Sequence, residues 1–466
     1  MISRRNLLTG TAAAMLGPLA QNAGAADRPN ILIITTDQQF AESASYRIGT
    51  KYIHTPNMDG LAAKGMVFTR AYCANPLCVP SRNSMFTGRY PTEIGIMTND
   101  DRTKVHPDPK KFPMLGKIFK DGGYQTAYFG KWHLNVPEKN AEIHGFDGAE
   151  TQQVDSTTSA STAKFLRGKH EKPFLAMCSL LNPHNITEWS RGQELPLGNV
   201  GQPPPLDQLP PIRPNLEPPS GEPEIVGVVR RSYQAAPMFP VSNFDEKKWR
   251  EYIWAYYRLI EKVDKEIGVV LTALRETGLE KNTLVVLSAD HGDCQGSHRW
   301  NQKTILYEEA ARIPFVMSLP GTVKHGTSKT LVNTGIDLMP TLCDYAGITP
   351  PAGLPGMSLK ETANGKTARD PRQYVVVSDK LIQGVPVDGR LPTPEGRMLR
   401  GQRYKYVAYS EGKNPEFLVD LDKDPGEMKN LAGDPAYDKV LNDLRAMLAE
   451  WCRKTGDKFQ VPGKNS

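Results

Sequence analysis

Cys78 opens the stretch Cys78-Val79-Pro80-Ser81-Arg82, and its surroundings suit chemistry on an anion. Pro80 predicts the first turn of a helix, where its missing N–H costs nothing. Residues 81–86 can continue that helix and Gly88 can end it. A cysteine beside a helix N-terminus meets free N–H groups and the positive end of the dipole. Both favour an anionic group and lower a thiol pKa. The plainer alternative is a buried cysteine packed before a helix.

Other reactive side chains recur at one kind of place, just after an apolar run. Asp37 and Gln38 follow Ile31-Leu32-Ile33-Ile34-Thr35, and Lys131 and His133 follow Thr126-Ala127-Tyr128-Phe129. His184 follows the run 173–181, and Asp290 and His291 follow the run 283–288. Such runs predict strands buried on both faces of a parallel sheet, and functional groups gather outside the carboxyl ends of these strands. Singly, each residue has a bland alternative: Asp37 a helix cap, Lys131 a surface cation, His133 a satisfied core imidazole. Four repetitions make coincidence a poor explanation. The carboxylate, amide and imidazole groups of Asp37, Gln38, Asp290 and His291 suit a hard divalent cation. Calcium comes first, with manganese or magnesium as alternatives.

The elements that must position these groups read as a large α/β unit. Helices are predicted over 55–65, 112–121 and 249–278, the last with Tyr252, Tyr256, Leu259, Val263, Ile267, Val270 and Leu274 on one apolar face. That stripe reads as core. A further strand is predicted over 314–318. Residues 195–223 are too rich in proline for a helix or central strand and predict a long surface loop. After about residue 370 the order becomes strand, strand, helix without long crossovers, which predicts a smaller α+β unit with an antiparallel sheet. The fold class is therefore a large mixed, mostly parallel sheet between helices, spanning 27–369, plus a C-terminal α+β subdomain spanning 370–466.

A chain of 466 residues, 39% hydrophobic and 23% charged, has ordinary globular composition. Its net charge of +6 comes without a dense Lys/Arg block, so nucleic acid is not an expected partner. A basic cleft for an anionic substrate and a merely solvated surface fit equally well. Ser3-Arg4-Arg5-Asn6-Leu7-Leu8, a small apolar run and Ala23-Gly24-Ala25 make residues 1–26 a twin-arginine-type export signal. The expected location is the bacterial periplasm or outside, with no spanning segment. Six scattered cysteines lack metal or redox spacing. Nothing here sets an oligomeric state.

Cys78-Val79-Pro80-Ser81-Arg82, followed by Thr87-Gly88-Arg89, resembles the signature of the type I sulfatases. These belong to the alkaline-phosphatase-like superfamily. The resemblance continues through residues 29–37 and 123–133, Pro183-His184, Asp290-His291-Gly292-Asp293, Lys303 and Tyr307-Glu308-Glu309. In the C-terminal part it covers Tyr404-Lys405-Tyr406 and residues 420–425. It implies hydrolysis of sulfate esters, with Cys78 oxidised by a separate maturing enzyme to formylglycine, whose hydrate attacks sulfur. It implies that Asp37, Asp290 and His291 bind the metal together with one oxygen of the modified Cys78. Arg82 and Lys131 would hold and polarise the hydrate. Lys303 and His184 would bind the sulfate and help the alcohol leave, and His133 would take a proton as sulfate is released.

Two features depart from the usual pattern. Gln38 stands where most members carry a second acid; it keeps an oxygen ligand but loses a charge. This resembles the branch containing choline sulfatases and phosphonate monoester hydrolases. Residues 296–302 replace a glycine-rich segment, so His298, Arg299 and Asn301 become candidates for a substrate subsite, with ordinary loop residues as an equal alternative. The expected substrate is an alcohol sulfate ester, foremost of a sulfated sugar or polysaccharide. The rivals are a phosphonate monoester or phosphodiester hydrolase and a non-catalytic binder of sulfated glycans.

Overall fold

The computed structural model describes residues 28–366 and 372–463. The export signal read in residues 1–26 and the boundary between 369 and 370 lie outside the described residues.

Ile31, Leu32, Ile33 and Ile34 form the middle of strand β1 (Asn30–Asp37), in which every residue is buried. Successive side chains of a strand point to opposite faces, so a strand apolar at every position must be covered on both. Leu32 and Ile34 share a core with the long helix Glu246–Glu276 on one face. On the other, Ile31 and Ile33 share a core with the helix Thr334–Ala346.

The other strands of this sheet are β2 (Met66–Tyr72), β3 (Gln125–Gly130), β4 (Gly148–Glu150), β5 (Phe174–Pro183), β6 (Thr283–Ala289), β7 (Phe315–Ser318) and β8 (Gly326–Asn333). Their order is β4-β3-β5-β1-β6-β7-β2-β8. Every pairing is parallel except those of β7, which runs antiparallel to both neighbours. The four strands expected to carry functional groups, β3, β5, β1 and β6, are consecutive in this order. Parallel neighbours finish on the same side, so four distant stretches deliver their polar ends to one place.

A second sheet holds β9 (Tyr374–Lys380), β10 (Glu395–Gly401), β11 (Tyr404–Tyr409) and β12 (Glu416–Asp420), all antiparallel, in the order β12-β11-β10-β9. The helix Asp438–Thr455 covers one face: Leu441, Leu448 and Trp451 pack with Val376, Leu399 and Leu418. The other face, with Val375, Val377, Met398 and Val419, packs on Leu306, Tyr307 and Ala310 of the larger unit.

Three strands escaped the sequence reading. Strand β10 carries Arg397 and Arg400, which look exposed in sequence, yet both are buried. Arg397 bonds Asp457 at 2.7 Å and Arg400 bonds the Tyr72 hydroxyl at 2.9 Å. Strand β8 is an edge strand with a polar, largely exposed first half, and β4 has three residues. The proline-rich segment is irregular as expected, with a single 3-10 turn at Leu206–Gln208.

Candidate active site

The helix Cys78–Thr87 starts at the cysteine itself, two residues earlier than Pro80 suggests. Pro80 is its third residue, still in the turn whose N–H groups have no helical partner. Leu77 is the extended residue before it, and Gly88 ends the helix at φ 66°. All ten helical residues are buried. The helix is therefore a buried pedestal, with Cys78 at its N-terminal tip under the carboxyl ends of the strands.

The Cys78 sulfur lies 3.2 Å from His291 Nε2, 3.2 Å from Lys303 Nζ, 3.8 Å from Lys131 Nζ and 4.0 Å from Asp37 Oδ1. Burial pushes the thiol up. Lys131, Lys303 and His291, with a hydrogen bond from His133, outweigh burial and hold it well below its ordinary value. Asp37 shows the same balance. Burial and the Cys78 thiol raise its carboxyl, while Lys131, His184 and Lys303 bring it below the usual carboxylate range. Lys131 makes a close ion pair with Asp37 Oδ2. Cationic groups from three segments thus surround one side chain in a site sheltered from water, where their charge is poorly screened.

Residues 29–348 match the family model described as Sulfatase. The chain belongs to the sulfatase family. Residues 296–454 also match the model described as N-sulphoglucosamine sulphohydrolase, C-terminal. The chain is similar to the Delta 4,5-hexuronate-2-O-sulfatase of Bacteroides thetaiotaomicron, 33% identical over 463 residues, covering 96% of this chain and 93% of that protein. Among solved structures it resembles a 2-O GAG sulfatase, with a TM-score of 0.80 and 30% identity over 94% of both chains. The phosphonate monoester hydrolase of Agrobacterium radiobacter shares the fold, at TM-score 0.72 and 20% identity over 92% of this chain and 96% of that one. This sulfatase is accordingly a sulfuric ester hydrolase.

Within it, the ligand atoms of Asp37, Cys78, Asp290 and His291 all lie within 4.8 Å of one another. Two carboxylates, an imidazole and position 78 at that spacing fit a divalent cation. Asp290 is fixed from two sides: its Oδ1 accepts from the His291 N–H at 2.9 Å and the Gln38 N–H at 3.2 Å, and Oδ2 faces Arg82 at 3.4 Å. Burial lowers the His291 imidazole, but Asp290 outweighs it and the ring is raised overall.

Gln38 holds left-handed backbone at φ 67°. Its Nε2 donates to Asp293 at 2.8 Å, which turns its Oε1 toward Lys303 Nζ, 2.9 Å away. Tyr252 and the Gln295 N–H brace Asp293 in turn, at 3.1 and 2.8 Å. In sequence Asp293 stands only within the motif Asp290-His291-Gly292-Asp293, and Tyr252 belongs to an apolar stripe that reads as core. The signal for Asp293 was its place two residues past His291.

Arg82 is fully buried and reaches Trp132 O at 3.0 Å, Lys131 O at 2.6 Å and the Tyr128 hydroxyl at 2.8 Å, besides Ser179 and Asp290. Its bonds therefore go to Asp290 and to the backbone that presents Lys131. His184, half-buried at the end of β5, is lowered by burial and then by Lys303 and Lys131. His133 is half-buried with its Nδ1 unpartnered.

The three subsite candidates sit in different surroundings. His298 is fully buried, stacked on Tyr307 with ring centres 3.9 Å apart, and 3.3 Å from Asn215 Nδ2. Arg299 is committed at the surface to Glu217, with its Nε 3.2 Å from Oε2. The reason is that the loop curls back, Cys294 N–H to Gln302 O at 2.7 Å, and tucks its tip under the proline-rich segment. Asn301 is buried and keeps an unpartnered Nδ2.

Proposed function

We propose that this sulfatase is exported through residues 1–26 and hydrolyses sulfate esters of a carbohydrate, with position 78 as the formylglycine-bearing residue. The observation that carries the reading is the convergence of Lys131, Lys303 and His291 on Cys78 in a buried site. The hydrated aldehyde supplies one oxygen for attack on sulfur and a second hydroxyl whose deprotonation expels sulfate. A divalent cation, calcium first, would be held by Asp37, Asp290, His291 and position 78, with the Gln38 amide alongside. When bound it supplies charge that offsets the anionic sulfate.

The chain's own groups divide the remaining work. Lys131 holds and polarises the hydrate at position 78, and Lys303 binds the sulfate oxygens and stabilises charge as the S–O bond breaks. His184 is held down by its burial and then by the two lysines, and an arriving anion offsets the lysines, pushing the imidazole up so that it can give a proton to the leaving alcohol. His133 takes the proton of the second hydroxyl. Arg82 keeps Asp290 and the Lys131 backbone in register.

Similarity to a hexuronate-2-O-sulfatase over nearly the whole chain supports a sulfated uronic-acid glycan as substrate. The test begins with the mass of the peptide containing residue 78, from protein made in a converting host. Formylglycine makes it about 18 Da lighter than cysteine. Release of inorganic sulfate from a 2-O-sulfated unsaturated uronide should accompany the lighter peptide. A plain cysteine with glycan binding and no turnover would replace this reading by a binding protein. Faster release of phosphonate or phosphate from matched esters would replace it by the phosphonate hydrolase reading.

A further inference from the structure

Five residues other than glycine between 295 and 304 hold left-handed backbone: Gln295 at φ 51°, His298 at 54°, Arg299 at 61°, Gln302 at 62° and Thr304 at 61°. Side chains are sterically disfavoured there, so a run of this density persists only where the surroundings over-determine it. Lys303 lies inside the run, with Nζ 3.2 Å from the Cys78 sulfur. The backbone that carries this ammonium is thus part of the strained run.

Asn215 gathers the anchors of the loop's tip. The proline-rich segment delivers it to a site where it is 3% exposed. Its carbonyl accepts the His298 N–H at 2.7 Å, and its Oδ1 accepts the Ser297 hydroxyl at 2.9 Å. Its Nδ2 reaches Glu309 Oε1 at 2.9 Å and the Gly426 carbonyl at 3.1 Å. One side chain therefore joins the Lys303 loop, the acidic turn after it and the C-terminal unit. The ligand atoms of His298, Glu309 and Glu427 lie within 4.8 Å of one another. Lys405 is 2.7 Å from Glu427, however, and Arg213 is 3.6 Å from Glu309. Cationic side chains already face both carboxylates, so this is a network of buried ionisable groups rather than a cation site.

We propose that Asn215 is a positioning residue for Lys303, holding the strained loop that presents the ammonium to position 78. The inference rests on the sulfate-binding role given to Lys303 above. Asn215→Asp keeps the size and the acceptor for Ser297, but loses the donor and sets a second carboxylate against Glu309. Two readouts apply: calorimetric binding of inorganic sulfate and steady-state hydrolysis of a sulfate ester. Expected are a kcat lower on the order of 10²-fold with KM changed only a few-fold, and weaker sulfate binding. Asn215→Asp with Glu309→Gln, which reverses donor and acceptor, should regain most of the loss. In a Lys303→Ala background, Asn215→Asp should weaken sulfate binding no further, because the group it positions is gone.

Unchanged sulfate affinity and kcat in Asn215→Asp would overturn the proposal. So would an equal further loss of sulfate affinity in the Lys303→Ala background, which would mark general loosening. Should Asn215→Asp not fold, Ser297→Ala removes the hydroxyl's bonds to Asn215 Oδ1 at 2.9 Å and Glu309 Oε1 at 3.0 Å and should cost about fivefold to tenfold in sulfate affinity; no loss there overturns the proposal equally. Sulfate binding without any ester turnover would count against the proposed activity alone and leave the comparison of variants intact.

Discussion

At position 38 an amide stands between a carboxylate and an ammonium, and this decides which way its oxygen points. Asp293 takes the Nε2 hydrogen, leaving Oε1 for Lys303 and the metal side of the site. Gln38→Glu would set a carboxylate oxygen against Asp293, where no donor remains between them. Asp293 is itself raised to about 6 by burial, an effect its hydrogen bonds from Gln38, Gln295 and Tyr252 only partly offset. We expect the variant to lose about 1–3 kcal/mol without added metal, through a buried pair left unsatisfied. Added calcium should recover part of that loss, because the new charge strengthens the cation site. Thermal unfolding with and without calcium checks both signs.

Among the elements, the β3–β5 pair shows how tightly Lys131 is placed. Gly130 ends β3 at φ 94°, opposite Ser179 in β5. A Cβ there would meet the Ser179 carbonyl oxygen at 2.0 Å, so the strands can close only on a residue without a side chain. The Lys131 N–H then bonds that same carbonyl at 2.9 Å, and the Lys131 carbonyl accepts Arg82. Gly130→Ala should destabilise by about 2–4 kcal/mol, combining the clash with the left-handed backbone. Its turnover should fall even at temperatures where it remains folded, because the Lys131 backbone shifts. Denaturant unfolding and activity, measured on one preparation, separate the two effects.

Across the whole molecule, the two sheets meet through buried charge. Lys405 of β11 is fully buried, 2.7 Å from Glu427 and 3.5 Å from Glu308; Arg400 and Arg312 also face Glu308. His298, Glu309 and Arg213 complete the surroundings. Burial raises Glu427 to about 7; Lys405 opposes the rise and Glu308 and Glu309 add to it. A folded value above the ordinary 4.5 means that the folded chain holds this proton more tightly than the unfolded one. Its contribution is therefore complete below about pH 4.5 and is lost as pH rises through about 7. Glu427→Gln should decline less than the parent between pH 5 and 8, by on the order of 1–3 kcal/mol. Unfolding midpoints across that range check it. A variant that follows the parent's slope would show that Glu427 stays charged.

The local chemistry of the chain was legible in order. Apolar runs marked β1, β3, β5 and β6, a proline and a glycine bracketed the Cys78 helix, and each polar strand end announced a candidate group. This works because strand burial and helix ends are written in neighbouring residues. The order β3-β5-β1-β6, which brings Lys131, His184, Asp37 and Asp290 to one place, is set by crossovers and packing that no local pattern encodes. The same holds for His298. Read along the chain it is a polar loop residue, but the curl of residues 294–302 and the arrival of Asn215 from the proline-rich segment bury it against Tyr307. Arg397, Arg400 and Lys405 look like surface charges until the second sheet docks and supplies their partners. Burial of a polar group depends on what long-range contacts bring to it, and only the tertiary structure decides that.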